Sequence, residues 1–228
     1  MRSGMPENNS PDILSFPGLQ DYNEIWELQK RLNEAVGQGR RREAILMLEH
    51  KPVYTLGFHG DASNFHPASD ASAPQLIRIE RGGDITYHGP GQLVVYPIID
   101  LWSRRLGVKD FVGLMEQAVI DLLTSFGMEG RRVDGRPGVW CSCSGAEKKI
   151  CALGIKVRRG VTMHGLALNV TTDLEAFRAI NPCGFESSSV ISMDRLALEA
   201  PDKREVRKAM ASSLLRLLEA FPFKPYRR

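Results

Sequence analysis

The sequence predicts an α+β fold, a mixed and largely antiparallel sheet with packed helices. Three observations carry that expectation. Segments with the two-residue period of strands follow one another across short turns, most clearly between residues 138 and 170. Segments with helical spacing fall into groups instead of alternating strictly with strands, which argues against a doubly wound sheet. The chain has 228 residues, 43% of them hydrophobic and 25% charged, enough for one sizeable core and short for two.

Residues 1–12 are polar and carry neither the apolar core nor the cleavage site of a signal peptide, so a disordered tail is expected, with 13–228 as one domain. Asp21 to Gln38 places Tyr22, Ile25, Leu28, Leu32 and Val36 on one helical face, closed by Gly37 and Gly39. Ala44 to Leu48 is wholly apolar and reads as a buried strand; Val53 to Gly57 reads as the next, after the turn at Pro52. Phe58 to Pro74 is a loop rich in Ala, Ser, Asp and His. Leu76 to Glu80 alternates like a strand, and Leu93 to Pro97 is another, running into Ile98–Leu101. Asp110 to Phe126 is a second amphipathic helix, stopped by Gly127. Gly138 to Val170 reads as an antiparallel meander with turns at Ser144-Gly145 and Arg159-Gly160. A short helix from Asp173 to Ala179 precedes Asn181-Pro182-Cys183-Gly184, and Asp202 to Phe221 forms the last helix.

No apolar run approaches the roughly 20 residues of a membrane span, so a cytoplasmic protein is expected. The four cysteines Cys141, Cys143, Cys151 and Cys183 lack paired Cys-x-x-Cys spacing, and no metal site is expected; free thiols are the default in a reducing compartment. The net charge is +3, with arginines paired at 41–42, 104–105, 131–132, 158–159 and 227–228. Such pairs commonly sit on solvated turns. They also suit docking of an acidic protein, and without a continuous basic stripe they do not suit nucleic acid.

Arg81 to Gln92 (RGGDITYHGPGQ) concentrates four glycines, a proline and a histidine in twelve residues. The flanking strands make it a tight bend. Glycine lets a backbone approach a ligand closely, and exposed amides can cradle an anion or a carbonyl oxygen. A glycine-rich hairpin need hold nothing, but His88, Tyr87, Arg81 and Gln92 in one bend favour a site. The stretch lacks the Gly-Lys-Ser/Thr ending of a P-loop and leads into a strand, so it is no nucleotide fingerprint.

Cys183 stands on a turn before Ser187-Ser188-Ser189, where a thiol is more reachable than in a buried strand. A thiol becomes a useful nucleophile when a nearby cation favours the thiolate, and Lys149, His164 and His88 are candidates. Of Lys148 and Lys149, strand geometry sends one inward and one outward. Each taken alone has a plainer reading: a filler cysteine, a solvated lysine, a core histidine.

Five signatures taken together, RGGDITYHGPGQ (81–92), GVW (138–140), KICALGIKV (149–157), HGLALN (164–169) and PCG (182–184), resemble the lipoyl(octanoyl) transferases over about residues 45–191. The resemblance implies the α+β fold shared with biotin and lipoate protein ligases, here as a single octanoyltransferase domain. It implies Cys183 as acyl-accepting nucleophile and Lys149 as the residue that lowers its pKa. Substrate contacts would come from Arg81, Gly82, Gly83, Asp84, Ile85, Thr86, Tyr87 and His88, from Ala152, Leu153 and Gly154, and from Gly165, Leu166 and Ala167. His164 and Asn169 are supporting candidates. Cys151 stands where the family pattern has a small residue such as alanine.

The implied reaction needs neither ATP nor a cofactor. Cys183 would take octanoyl from octanoyl-acyl carrier protein and pass it to a lysine of lipoyl domains of 2-oxoacid dehydrogenases or of glycine cleavage H protein, with the enzyme a monomer. Three alternatives stand beside it. An ATP-dependent lipoate-protein ligase would show pyrophosphate exchange, a non-catalytic carrier- or lipoyl-domain binding module would show no turnover, and a thioesterase would hand its acyl group to water.

Overall fold

The computed structural model of the protein describes residues 10–66, 74–180, 189–197 and 199–225. In chain order its elements are β1 (Asp12–Gln20), α1 (Tyr22–Gly37), β2 (Ala44–His50), β3 (Val53–Leu56), β4 (Leu76–Arg78), β5 (Ile85–His88), β6 (Gln92–Ile98), α2 (Leu101–Arg104), α3 (Val108–Ser125), β7 (Arg131–Val133), β8 (Arg136–Cys143), β9 (Ala146–Arg158), β10 (Val161–Asn169) and α4 (Lys203–Glu219), with a 3₁₀ segment at Leu174–Ala179. A seven-stranded sheet has the order β1-β2-β6-β10-β9-β8-β7, and a three-stranded one the order β4-β3-β5. Among the strands of the described residues, only β1–β2 and β3–β4 pair in parallel. The expected α+β class is what the chain adopts.

Strand β2 shows why the core has two halves. Ile45 and Met47 pack with Phe111 and Met115 of α3 and with Met210 of α4. Their neighbours Ala44, Leu46 and Leu48 face the other way, against Ile25, Leu32 and Val36 of α1. A strand covered on both faces needs apolar residues at every position, which is why this one shows no alternation. Side-chain caps set the helix starts: Asp21 accepts from the amides of Asn23 and Glu24, and Asp202 from that of Arg204.

The meander from β8 to β10 stands as expected, and both of its turns have two consecutive residues at positive φ, Ser144-Gly145 (52° and 77°) and Arg159-Gly160 (50° and 81°). That pattern matches the right-handed twist of the flanking strands.

Three expectations change. The segment 81–92 is not one bend: Ile85–His88 forms β5, pairing with β3, so a loop at 79–84 and a tight turn at 89–91 replace a single hairpin. The sequence reading assigns a tail to 1–12 and no element to 13–20, yet Asp12–Gln20 is a strand paired with β2; its ladder breaks between Ser15 and Leu19 around Pro17 and Gly18, which erased the periodicity. Asp12 ion-pairs with Arg41 (3.5 Å) and Arg42 (2.7 Å), while residues 1–9 lie outside the described residues. Arg104 is no surface charge. It is buried, and its guanidinium donates to the Glu43 carboxylate (2.9 and 3.1 Å) and to the carbonyls of Leu218 and Phe221. Arg131 and Arg132 pair with Glu147 and Glu116. Of the five arginine pairs, Arg158-Arg159 alone has both members described and without an ion pair among the described residues. No helix among those residues is long and apolar enough to cross a membrane.

Candidate active site

Between the α1 face of the large sheet and the loop at 79–84 lies a cavity of about 340 Å³. Its floor is made by β9 and β10, where Ala152 pairs with Ala167, Leu153 with Leu166 and Gly154 with Gly165. Small residues on both strands leave room for a ligand over them. Glycines also bring its walls together. A Cβ on Gly154 would lie 2.7 Å from the carbonyl oxygen of Gly82, and one on Gly57 would lie 2.2 Å from that of Gly83. The Gly82 amide donates to the Ile155 carbonyl (3.0 Å), tying roof to floor.

Lys149 reaches this cavity because β9 carries an extra residue. Val139 pairs with Cys151 and Trp140 with Lys149, so Ile150 is a bulge opposite no partner. Ile150 and Cys151 therefore both stay in the helix-side core. Lys149 shares the face of Ala152 and Gly154 instead. Its ammonium lies 4.7 Å from the centroid of the Trp140 ring, and the ring's N–H donates to the Arg136 carbonyl. The Lys149 carbonyl accepts from the Ile191 amide (3.0 Å), and Lys149 bridges to Val190.

A polar chain runs along the wall. His88 Nδ1 meets Gln92 Oε1 (2.8 Å); Gln92 Nε2 donates to Asn169 Oδ1 (2.9 Å), and Asn169 Nδ2 to the Ile191 carbonyl (3.2 Å). Arg81 spends donors on Thr55, at its carbonyl (2.8 Å) and hydroxyl (2.9 Å), and on the Gly82 carbonyl, so it braces the small sheet against the loop. His164, which pairs with Ile155, lies further along the floor from Lys149, and Tyr22 and Tyr96 line the cavity with it. Burial pushes the pKa of His50 down to about 4, that of His88 well below its ordinary value, and that of His164 downward.

The structure gathers nearly all of the expected residues. Arg81 to Thr86, His88, Lys149, Ala152 to Gly154, His164 to Ala167 and Asn169 line the one cavity. Tyr87 does not: strand alternation turns its ring onto Tyr54 (5.3 Å) and Phe177 (5.7 Å). Cys183, with its turn, lies outside the described residues. Sequence reading left out Tyr22, Tyr96, Trp140, Phe177 and Val190 as wall residues, and named Gln92 only as part of the bend. Gln92 and Trp140 sat inside quoted motifs; the others carried no local signal. The described cysteines are poor nucleophiles: burial raises the Cys141 pKa to about 11 and pushes that of Cys151 higher still, while Cys143 ends a hairpin strand outside the cavity.

Comparison with known proteins agrees with this arrangement. The model of the lipoyl protein ligase A/B catalytic domain matches residues 21–215. An octanoyltransferase of Polynucleobacter necessarius subsp. necessarius (strain STIR1) is 45% identical over 190 residues, covering 80% of this chain and 86% of that one. One from Azoarcus sp. (strain BH72) is 46% identical over 208 residues, covering 91% and 88%. The bipartite lipoate protein ligase of Thermoplasma acidophilum, studied with its E2 lipoyl domain, superposes with a TM-score of 0.70 at 20% identity, over 96% of this chain and 86% of that one, so the fold is shared.

Proposed function

The chain belongs to the lipoyl protein ligase A/B catalytic-domain family, and from that premise we propose that it carries octanoyl as a thioester on Cys183, between octanoyl-acyl carrier protein and a lysine of a lipoyl domain. The activity itself is octanoyl transfer, an acyltransferase reaction of lipoate biosynthesis. The observation that carries the thioester reading is the bulge at Ile150, which aims a lysine into an apolar, glycine-walled cavity.

The described residues on either side of the Cys183 segment support it. Phe177 and Val190 both line the cavity, Ile180 is fully buried, and Val190 bridges to Lys149. On this reading Cys183 works at the cavity, whose lining includes Phe177 and Val190 from the described residues on either side of its segment. There the Lys149 ammonium would favour the thiolate.

In the first step the thiolate attacks the carrier thioester carbonyl; a new carbon–sulfur bond forms, the old one breaks, and the carrier leaves as a thiolate that takes a proton from solvent. In the second the amine of the lipoyl-domain lysine attacks the acyl-enzyme, an amide forms, the amine's proton passes to solvent, and the Cys183 thiolate returns. Exchange between thioesters is nearly balanced in free energy, and amide formation is downhill. Burying six methylenes between Ala152–Gly154 and Gly165–Ala167 contributes up to about 5 kcal/mol, at about 0.8 kcal/mol each. The same reading makes the enzyme a cytoplasmic monomer that serves 2-oxoacid dehydrogenases and glycine cleavage H protein.

Intact-mass spectrometry after mixing with octanoyl-acyl carrier protein tests it. Wild type and the Cys141→Ala, Cys143→Ala and Cys151→Ala variants should each gain one octanoyl group, and Cys183→Ala none. An adduct that survives Cys183→Ala would falsify the assignment.

A further inference from the structure

We propose that the end of the cavity away from Lys149 is a polar subsite centred on His164, which accepts an eight-carbon acyl chain bearing a hydroxyl on its terminal carbon. The inference rests on the octanoyl-transfer reading and adds a second substrate class to it.

His164 is set up unlike any other residue of the floor. It lies in the interior of β10 at φ 57°, a left-handed conformation that costs a non-glycine residue about 1–3 kcal/mol wherever it occurs. Its side chain is 1% exposed and lines the cavity, yet neither ring nitrogen has a hydrogen-bond partner among the described residues. The nearest carboxylate oxygen, on Glu80, is 3.9 Å away, beyond hydrogen-bond range. Gln29 repeats the pattern. It is fully buried, its Oε1 accepts from the His164 amide (2.7 Å), and its Nε2 has no partner among the described residues. Buried polar atoms without partners are rare; Gln29 does not line the cavity, but the His164 ring does, and what enters there can satisfy it.

Distance brings the end of a substrate chain towards it. His164 pairs with Ile155, and five ladder steps of about 3.3 Å separate Ile155 from Lys149, roughly 16 Å in all. Seven carbon–carbon bonds of about 1.5 Å give a contour of no more than about 11 Å, so a chain held beside Lys149 runs towards the His164 rung and stops about 5 Å short of it, a gap that a terminal hydroxyl narrows. Burial pushes the imidazole pKa down against the opposing pull of the Glu80 carboxylate, and a neutral ring has one nitrogen donating and the other accepting. A hydroxyl is the smallest group that both donates and accepts. A methyl leaves the ring unpaired, and a charged end would lose its hydration in a site that already disfavours charge on His88 and His164.

The test is a competition. Full-length enzyme, a lipoyl domain, and equal amounts of octanoyl- and 8-hydroxyoctanoyl-carrier protein are mixed, and the two products are read by mass. The variant is His164→Gly, because glycine tolerates the left-handed backbone. Wild type should transfer the hydroxylated chain at least as well as octanoyl, and His164→Gly should lower the hydroxyl-to-alkyl product ratio about tenfold, the worth of one buried hydrogen bond. A ratio that falls less than about threefold overturns the subsite, since a bound water would then satisfy the ring. Should the variant not fold, calorimetry on wild type decides: 8-hydroxyoctanoate must bind within about threefold of octanoate, because an apolar end would reject the hydroxyl by more than that. Failure to transfer from either thioester would refute octanoyl transfer as well, an outcome distinct from an unchanged ratio.

Discussion

Gly154→Ala should loosen the roof of the cavity from its floor. The new Cβ would sit 2.7 Å from the Gly82 carbonyl oxygen and 3.1 Å from Arg81 Cδ, and the first of these is backbone that cannot rotate aside. The loop has to lift by a few tenths of an ångström, stretching the Gly82–Ile155 hydrogen bond. Overpacking of this kind costs about 1–3 kcal/mol and a lost hydrogen bond about 1 kcal/mol, so about 3 kcal/mol in all. In a chain of this length each kcal/mol moves the melting temperature by about 2–4 °C, giving a fall of about 6–12 °C. Gly113→Ala is the control: it lies in α3 with no atom within 4 Å of the new Cβ, and it should stabilise by up to about 1 kcal/mol. Calorimetric melting of both variants, with kcat/KM for octanoyl transfer, reads the effect. If Gly154→Ala melts with wild type and keeps its kcat/KM, close approach at Gly154 is not what holds the roof.

Three further outcomes are expected. Arg104→Met leaves the Glu43 carboxylate buried without its partner and should cost about 3–5 kcal/mol in chemical denaturation, most of it restored by adding Glu43→Leu. Acid should destabilise the protein through its buried histidines: His50 titrates near 6.5 unfolded and about 4 folded, so its contribution is complete above 6.5 and is lost as pH falls from 6.5 to 4. That amounts to about 3 kcal/mol, and the urea midpoint of His50→Gln should vary less steeply with pH over this window. Finally, Lys149→Met should raise the pKa of Cys183 and slow its alkylation at neutral pH; superimposable rate–pH profiles would make Lys149 a bystander.

What the sequence disclosed follows from how local each signal is. Helices α1, α3 and α4 bury one stripe against a sheet, so their periodicity survives in the residues; the glycine turns of the meander are punctuation of two residues. The segments at 81–88, 149–154 and 164–169 were legible as motifs because the cavity is built mostly from contiguous backbone. Tertiary partners were hidden. Nothing near Arg104 announces Glu43, and beside Arg105 it reads as a surface pair. The bulge was invisible because Ile150 and Cys151 are both apolar, so the pattern fits either face. Tyr22 and Tyr96 reach the cavity wall from a helix and a strand whose other residues are ordinary core. Strand β1 was lost because Pro17 and Gly18 interrupt it, and α2 because four residues held by the Asp100 cap carry no period.

The unpaired Ile150 also governs what kinds of genetic change the site can survive. Point substitutions along β9 act on one face at a time, and most leave the lysine where it is. Deleting the Ile150 codon sets Lys149 directly before Cys151, and strict alternation then keeps the lysine on the cavity side, opposite Cys151, with no bulge needed. An inserted codon makes the separation three, again odd, with the same result. The native spacing of two is the one that depends on the bulge, so a change that straightened β9 without altering its length would send Lys149 to the side of α3 and α4.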